Sequence, residues 1–165
     1  MKTLIFGLLI LGLTTQIYAQ NTETMEPVYI VHNYKYLSDV NAAETAIPVE
    51  ELHLKVSDFS VEELDVYADE HEFYDVYFFI PEGKILASYD KDSNLLSTVE
   101  RYKDIDLPPS VLEALETRFP NWSISKNVYL VDYKDSRFTK QLYKLTLENN
   151  DKRIKVKVNE NGVFL

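Results

Sequence analysis

The chain predicts an α+β fold of two tandem units, each one helix followed by about four antiparallel strands, with the strands free to join in one continuous sheet. Three observations carry that expectation. Residues 153–158 (RIKVKV) alternate, with Ile154, Val156 and Val158 on one side and Lys155 and Lys157 on the other. That is the period-2 mark of a strand with one buried and one wet face. Residues 107–119 (LPPSVLEALETRF) set Val111, Leu112, Leu115 and Phe119 on one helical stripe, opened by Pro108 and Pro109 and closed by Pro120. The two halves also rhyme: residues 89–96 (YDKDSNLL) match residues 158–165 (VNENGVFL) at an offset of 69.

In chain order, residues 1–19 read as a cleavable secretory signal peptide. Lys2 supplies the positive start, residues 4–13 (LIFGLLILGL) the apolar run, and residues 14–19 (TTQIYA) a polar exit ending on a small residue. The run is too short to span a membrane, which takes about 20 apolar residues. The expected product is therefore exported, periplasmic or extracellular, starts near Gln20 and keeps no transmembrane anchor. An uncleaved anchor is the competing reading, because Ile17-Tyr18-Ala19 is an imperfect small-x-small site.

Residues 20–46 form an N-terminal extension, in which residues 28–36 (VYIVHNYKY) are rich enough in β-branched and aromatic residues to predict a strand. The first unit, residues 47–103, begins with a short helix over residues 48–56, where Pro48, Glu50 and Glu51 suit the first turn. Strand patterning starts at Leu64, and residues 64–69 (LDVYAD) resemble residues 128–133 (VYLVDY). Residues 74–80 and 84–89 read as a hairpin across Pro81-Glu82-Gly83, residues 90–94 (DKDSN) as a turn, and residues 95–102 as a strand. The second unit, residues 107–165, places strands at 127–133, 141–147 and 153–158 after its helix. Asn161-Gly162 then turns the chain into residues 163–165.

Charge and composition exclude several classes. The net charge is −10. Residues 20–106 hold 6 Lys and Arg against 20 Asp and Glu, whereas residues 107–165 hold 10 against 7. This balance opposes nucleic-acid binding, which needs cations to release phosphate counterions. Such asymmetry steers a charged partner, or is simply drift on solvated faces. There are no cysteines, which removes disulfides and lipidation on cysteine. Gly83 and Gly162 are the only glycines after residue 19, so neither GxGxxG nor a P-loop exists and no cofactor is expected.

No catalytic motif stands out. His32, His53 and His71 form no HExxH, and there is no GxSxG. Residues 90–94 resemble the start of an EF-hand, but Leu95 stands where glycine is required and Arg101 where glutamate should bind, so no metal is assigned. The candidate partner-binding residues are Glu62, Glu63, Asp65, Asp69, Glu70 and Glu72, with Tyr67, Tyr74 and Tyr77. The acidic run extends to Asp75 without a Lys or Arg. It reads as a docking surface for a basic partner, as a weak cation site, or as an edge strand kept soluble by charge. Tyrosine serves sheet faces and binding hot spots alike. Trp122, just past the helix, is expected to plug the core.

Residues 80–100 (IPEGKILASYDKDSNLLSTVE), 107–122 (LPPSVLEALETRFPNW) and 143–165 together resemble the bacterial PepSY-like family with a β-lactamase-inhibitor-protein-like fold. The likeness spans about residues 47–165. It implies an exported, non-enzymatic module of the bacterial envelope that binds or inhibits another exported protein. The lack of cysteine departs from the disulfide-bearing β-lactamase inhibitors, so inhibition of a β-lactamase is not carried over. A small-ligand or cation-binding periplasmic protein and a hydrolase using the carboxylates of residues 62–75 are the alternatives.

Overall fold

A computed structural model describes residues 33–41, 45–68 and 70–165. The expected signal segment and Asp69 lie outside those residues. Alternating side chains build six strands: β1 (Phe73–Ile80), β2 (Gly83–Asp90), β3 (Leu95–Lys103), β4 (Ser123–Lys134), β5 (Phe138–Asn149) and β6 (Lys152–Val158). They form one antiparallel sheet in the order β1-β2-β3-β4-β5-β6, each strand beside its sequence neighbours. Helix α1 (Tyr34–Val40) and helix α2 (Ile47–Ser57) precede β1, and helix α3 (Pro109–Arg118) lies between β3 and β4. The fold is thus mixed α+β, with a six-stranded sheet.

All three helices cover the same face. From α1, Tyr36 meets Tyr133 of β4 edge-on at 5.1 Å between ring centroids. From α2, the backbone carbonyl of Val56 accepts the Tyr89 hydroxyl at 2.6 Å. From α3, Val111 and Leu115 are buried, and a groove between this helix and the sheet is lined by Leu115, Phe119, Trp122 and Leu147. Trp122 packs partly buried against the core, as its position past the helix predicts. Leu112, expected on the same apolar stripe, is instead 39 % exposed.

Tyrosine fills much of the core. Tyr36, Tyr89, Tyr102, Tyr129 and Tyr133 are almost wholly buried, and Tyr102, Tyr129 and Tyr143 stack in a column with centroid spacings of 5.9 and 4.5 Å. Such pairs add about 0.5–1.5 kcal/mol each beyond area burial. The column's hydroxyls find partners: Tyr129 donates to Gln141 Oε1 at 2.7 Å. Burial pushes the Tyr143 phenol up to about 12.

Three expectations are corrected. Residues 34–36 are helical, not a strand, because Tyr36, Leu37 and Val40 bury together only at helical spacing. Residues 64–68, the described part of the expected strand at 64–69, do not form one: a 3₁₀ turn at Val61–Glu63 leads into bends and turns, anchored by buried Val61 while Glu62, Glu63 and Asp65 face water. Each side of α3 therefore contributes three strands, not about four. Residues 163–165 supply only an isolated bridge, between Val158 and Phe164.

The turn after β2 and the turn after β6 are built alike, 69 residues apart. Asp90 Oδ1 accepts from the backbone N–H groups of Asp92 and Asn94 at 2.9 and 2.8 Å. Asn159 Oδ1 accepts from those of Asn161 and Val163 at 3.1 and 2.8 Å. Each turn also closes with two backbone bonds of the same pattern, Asp90 N–H to Asn94 and Ser93 N–H to Asp90 in one, Asn159 N–H to Val163 and Gly162 N–H to Asn159 in the other. The matching left-handed positions are Ser93 (φ 64) and Gly162 (φ 78). The expected turn at residues 90–94 is therefore the observed one.

Candidate functional site

The sequence-predicted binding residues do not converge. Glu62, Glu63, Asp65, Glu70 and Glu72 are exposed on the loop that leads to β1. Tyr67 stacks on Tyr74 at 5.8 Å, and the Tyr74 hydroxyl accepts from Ala68 N–H at 3.1 Å and donates to the Ala68 carbonyl at 2.8 Å. Tyr74 is thus a buried strut holding the acidic loop to β1. Tyr77 points the opposite way, onto the helix-free face, and is 55 % exposed. Among the described residues, no group of three or more His, Asp or Glu side chains is arranged to hold a metal ion.

The most concentrated polar chemistry lies inside the core. Glu100 on β3 is 1 % exposed, and its Oε1 accepts from the Tyr36 hydroxyl at 2.7 Å and the Thr98 hydroxyl at 2.6 Å. Its Oε2 meets His53 Nε2 at 2.7 Å and the Tyr102 hydroxyl at 2.9 Å. His53 Nδ1 lies 2.9 Å from Asn41 Oδ1. The ring is thus held between the Asn41 amide and the Glu100 carboxylate. Burial pushes the Glu100 carboxyl up, but the His53 charge and the hydrogen bonds of His53, Thr98 and Tyr36 outweigh it and hold the group below the usual carboxylate range. The same carboxylate, after burial itself, drives the Tyr36 and Tyr102 phenols well up. Neither His53 nor Glu100 has any surface from which to touch a substrate, so the pair holds the core together. The sequence signals for it are readable afterwards: His53 shares the inward stripe of α2 with Val49, Leu52 and Val56, and Glu100 alternates in phase with Thr98 and Tyr102.

The surface with binding character is the face of the sheet left bare by the described helices. Strand register brings Tyr77 opposite Leu86 and Leu86 opposite Val99, while Phe79 lies opposite Lys84. Phe73, Phe79 and Val99 are 65, 67 and 60 % exposed, and Tyr77 stacks on Phe79 at 5.8 Å. Farther across, Leu130 lies opposite Leu142.

The same face is cationic. By alternation and register, β2 to β4 direct Lys84, Arg101, Lys103, Lys126 and Lys134 onto it, and β5 and β6 direct Lys140, Lys144, Arg153, Lys155 and Lys157. Only Asp75, Asp90, Asp132 and Glu148 share it from the strands. Among the described residues, ten Lys and Arg thus share the strands of this face with four Asp and Glu. The signal was present in the sequence as Arg153, Lys155 and Lys157 at every second position, but which strands lie side by side, and hence that the cations pool, needed the fold.

Compared with known proteins, the chain matches no family model, and no curated protein matches it.

Proposed function

We propose that this protein is an exported, non-enzymatic binding module of the bacterial envelope whose contact surface is the helix-free face of the sheet. The observation that carries the reading is the exposure of Phe73, Tyr77, Phe79 and Val99 together on that face. A monomeric surface rarely leaves several large apolar side chains contiguous without a partner to cover them. Export rests on the signal-like residues 1–19, and the likeness of residues 47–165 to the PepSY-like family supports a module that binds or inhibits another protein. The matching turns at Asp90 and Asn159 favour a duplicated origin for the two halves. The acidic loop has a lesser role in this reading, since among the described predicted residues only Tyr77 reaches the face.

The test is capture from an envelope fraction by immobilised wild-type protein and by the double variant Tyr77→Ser/Phe79→Ser. A protein retained by the wild type and lost by the variant, with the variant folded by circular dichroism, is the expected result. Equal retention by both overturns the sheet face as the contact surface.

A further inference from the structure

We infer that the partner of the bare sheet face is an acidic protein surface with apolar side chains along one side; this rests on the reading above and specifies the partner's chemistry. Two features of the face argue for it. The first is charge: a chain of net −10 places most of its cations on one face. Among the described residues, Lys126, Lys140, Lys144, Lys155 and Lys157 form no salt bridge with any carboxylate.

The second is register. Lys84 stands directly opposite Arg101, and Lys144 directly opposite Lys157. Like charges set opposite across a ladder destabilise a sheet. Two such pairs on one face burden the fold, with the Lys84 ammonium 5.9 Å over the Tyr77 ring as a partial offset, whereas an anionic occupant relieves both. Carboxylates brought to these positions also form charge-assisted bonds and speed the encounter.

The apolar part of the face chooses among anionic occupants. Phe73, Tyr77 and Phe79 on β1 lie across the sheet from the lysines of β5 and β6. An anionic membrane offers headgroup charge and an apolar interior as well, but its continuous negative surface repels the rest of a chain of net −10, whereas a protein confines its carboxylates to the contact. A protein surface with carboxylates beside apolar side chains satisfies both parts. The size fits as well: five strand spacings of about 4.8 Å by strands of about 26 Å give roughly 600 Å², close to the ~800 Å² one partner gives a standard interface.

The probe is a random copolymer of glutamate and tyrosine, an acidic polypeptide with aromatic side chains, titrated against the full-length processed protein. Binding is expected to weaken about tenfold or more in Lys140→Glu/Lys144→Glu, and comparably when salt rises from about 0.05 to about 0.5 M. Lys55→Glu/Lys91→Glu, the same charge change away from the face, is expected to stay within about twofold. No binding of the copolymer, or equal losses in the two charge variants, overturns the inference. Equal or tighter binding of phosphatidylglycerol vesicles overturns it in favour of a membrane surface. The protein captured from the envelope separates this inference from the reading beneath it. If Tyr77→Ser/Phe79→Ser loses that protein while Lys140→Glu/Lys144→Glu keeps it, the sheet face stands and the acidic partner falls. If both variants keep it, both fall.

Discussion

His53 Nε2 lies 2.7 Å from Glu100 Oε2, with both side chains sealed from water and every side-chain polar atom around them partnered. The carboxylate collects four donors from α1, α2 and β3, so it ties the N-terminal helices to the middle of the sheet. Removing one partner of a buried pair leaves the other charge uncompensated. His53→Ala should therefore cost about 3–5 kcal/mol in urea denaturation. The apolar double variant His53→Leu/Glu100→Met should not recover the loss. Buried ion pairs can often be replaced by apolar residues, but here the Tyr36, Thr98 and Tyr102 hydroxyls would lose their acceptor, at about 1–3 kcal/mol each. A double variant as stable as the wild type would show that the pair is dispensable.

The pair also sets an acid limb. Burial raises the Glu100 carboxyl, but the His53 charge and three hydrogen-bond donors hold it below its ordinary range. A depressed folded value stabilises the native state above the unfolded value, near pH 4 for glutamate, and that stability is lost as pH falls through the folded value. Glu100→Gln removes the group, so its stability should fall less steeply than the wild type's below about pH 4. Asp135, which the Lys35 ammonium holds down by a hydrogen bond, is present in both and cancels in the comparison. Parallel profiles between about pH 3 and pH 7 would mean that folding does not hold the Glu100 carboxyl down.

The six strands were legible because a sheet with one face covered imposes a period of two on each of them. The helices at Ile47–Ser57 and Pro109–Arg118 were legible from the prolines at their first turns. Helix Tyr34–Val40 was not, because its local composition favours strand and its helicity depends on Tyr36 reaching Glu100 and Tyr133. The segment LDVYAD at residues 64–69 misled in the opposite way: it has strand composition, but the large apolar side chains packed against the core there are Leu64 and Tyr67, three apart, while Val66 is exposed. The candidate site was half legible. Alternation placed the lysines of β6 on a wet face and Tyr77 was named without a face, but cross-strand pairs such as Lys84 with Arg101 depend on register, which single-strand patterns do not specify.

Gly162 should resist substitution more than its counterpart Ser93. Its φ of +78 lies in the left-handed region, and a Cβ there would sit 2.5 Å from the Ser110 carbonyl oxygen and 3.2 Å from Ala114 Cβ. Backbone strain and the clash with α3 act together, so Gly162→Ala should lose about 2 kcal/mol or more. Ser93 tolerates its side chain because the hydroxyl accepts the Val61 N–H at 3.0 Å. Gly162→Ala with an unchanged urea midpoint would mean that the turn shifts away from α3 at little cost.

Lys144→Glu should stabilise the free protein. Lys144 is exposed on the bare face and faces Lys157 across the β5–β6 ladder, with Val128 opposite it on β4. The substitution turns a like-charge pair into an opposite-charge pair. On an exposed sheet surface that change is worth about 0.2–1 kcal/mol, diminishing as salt is added. Lys157→Glu should give a similar gain, and the double reversal should lose it by restoring like charges. A urea midpoint that rises in each single variant and returns in the double isolates the pair from the general effect of net charge, since the double variant carries the larger change. In a chain already at −10, general repulsion predicts the reverse for every one of these variants. A fall in both single variants would therefore show that the opposed lysines carry no local cost, and would remove the register argument for an anionic occupant.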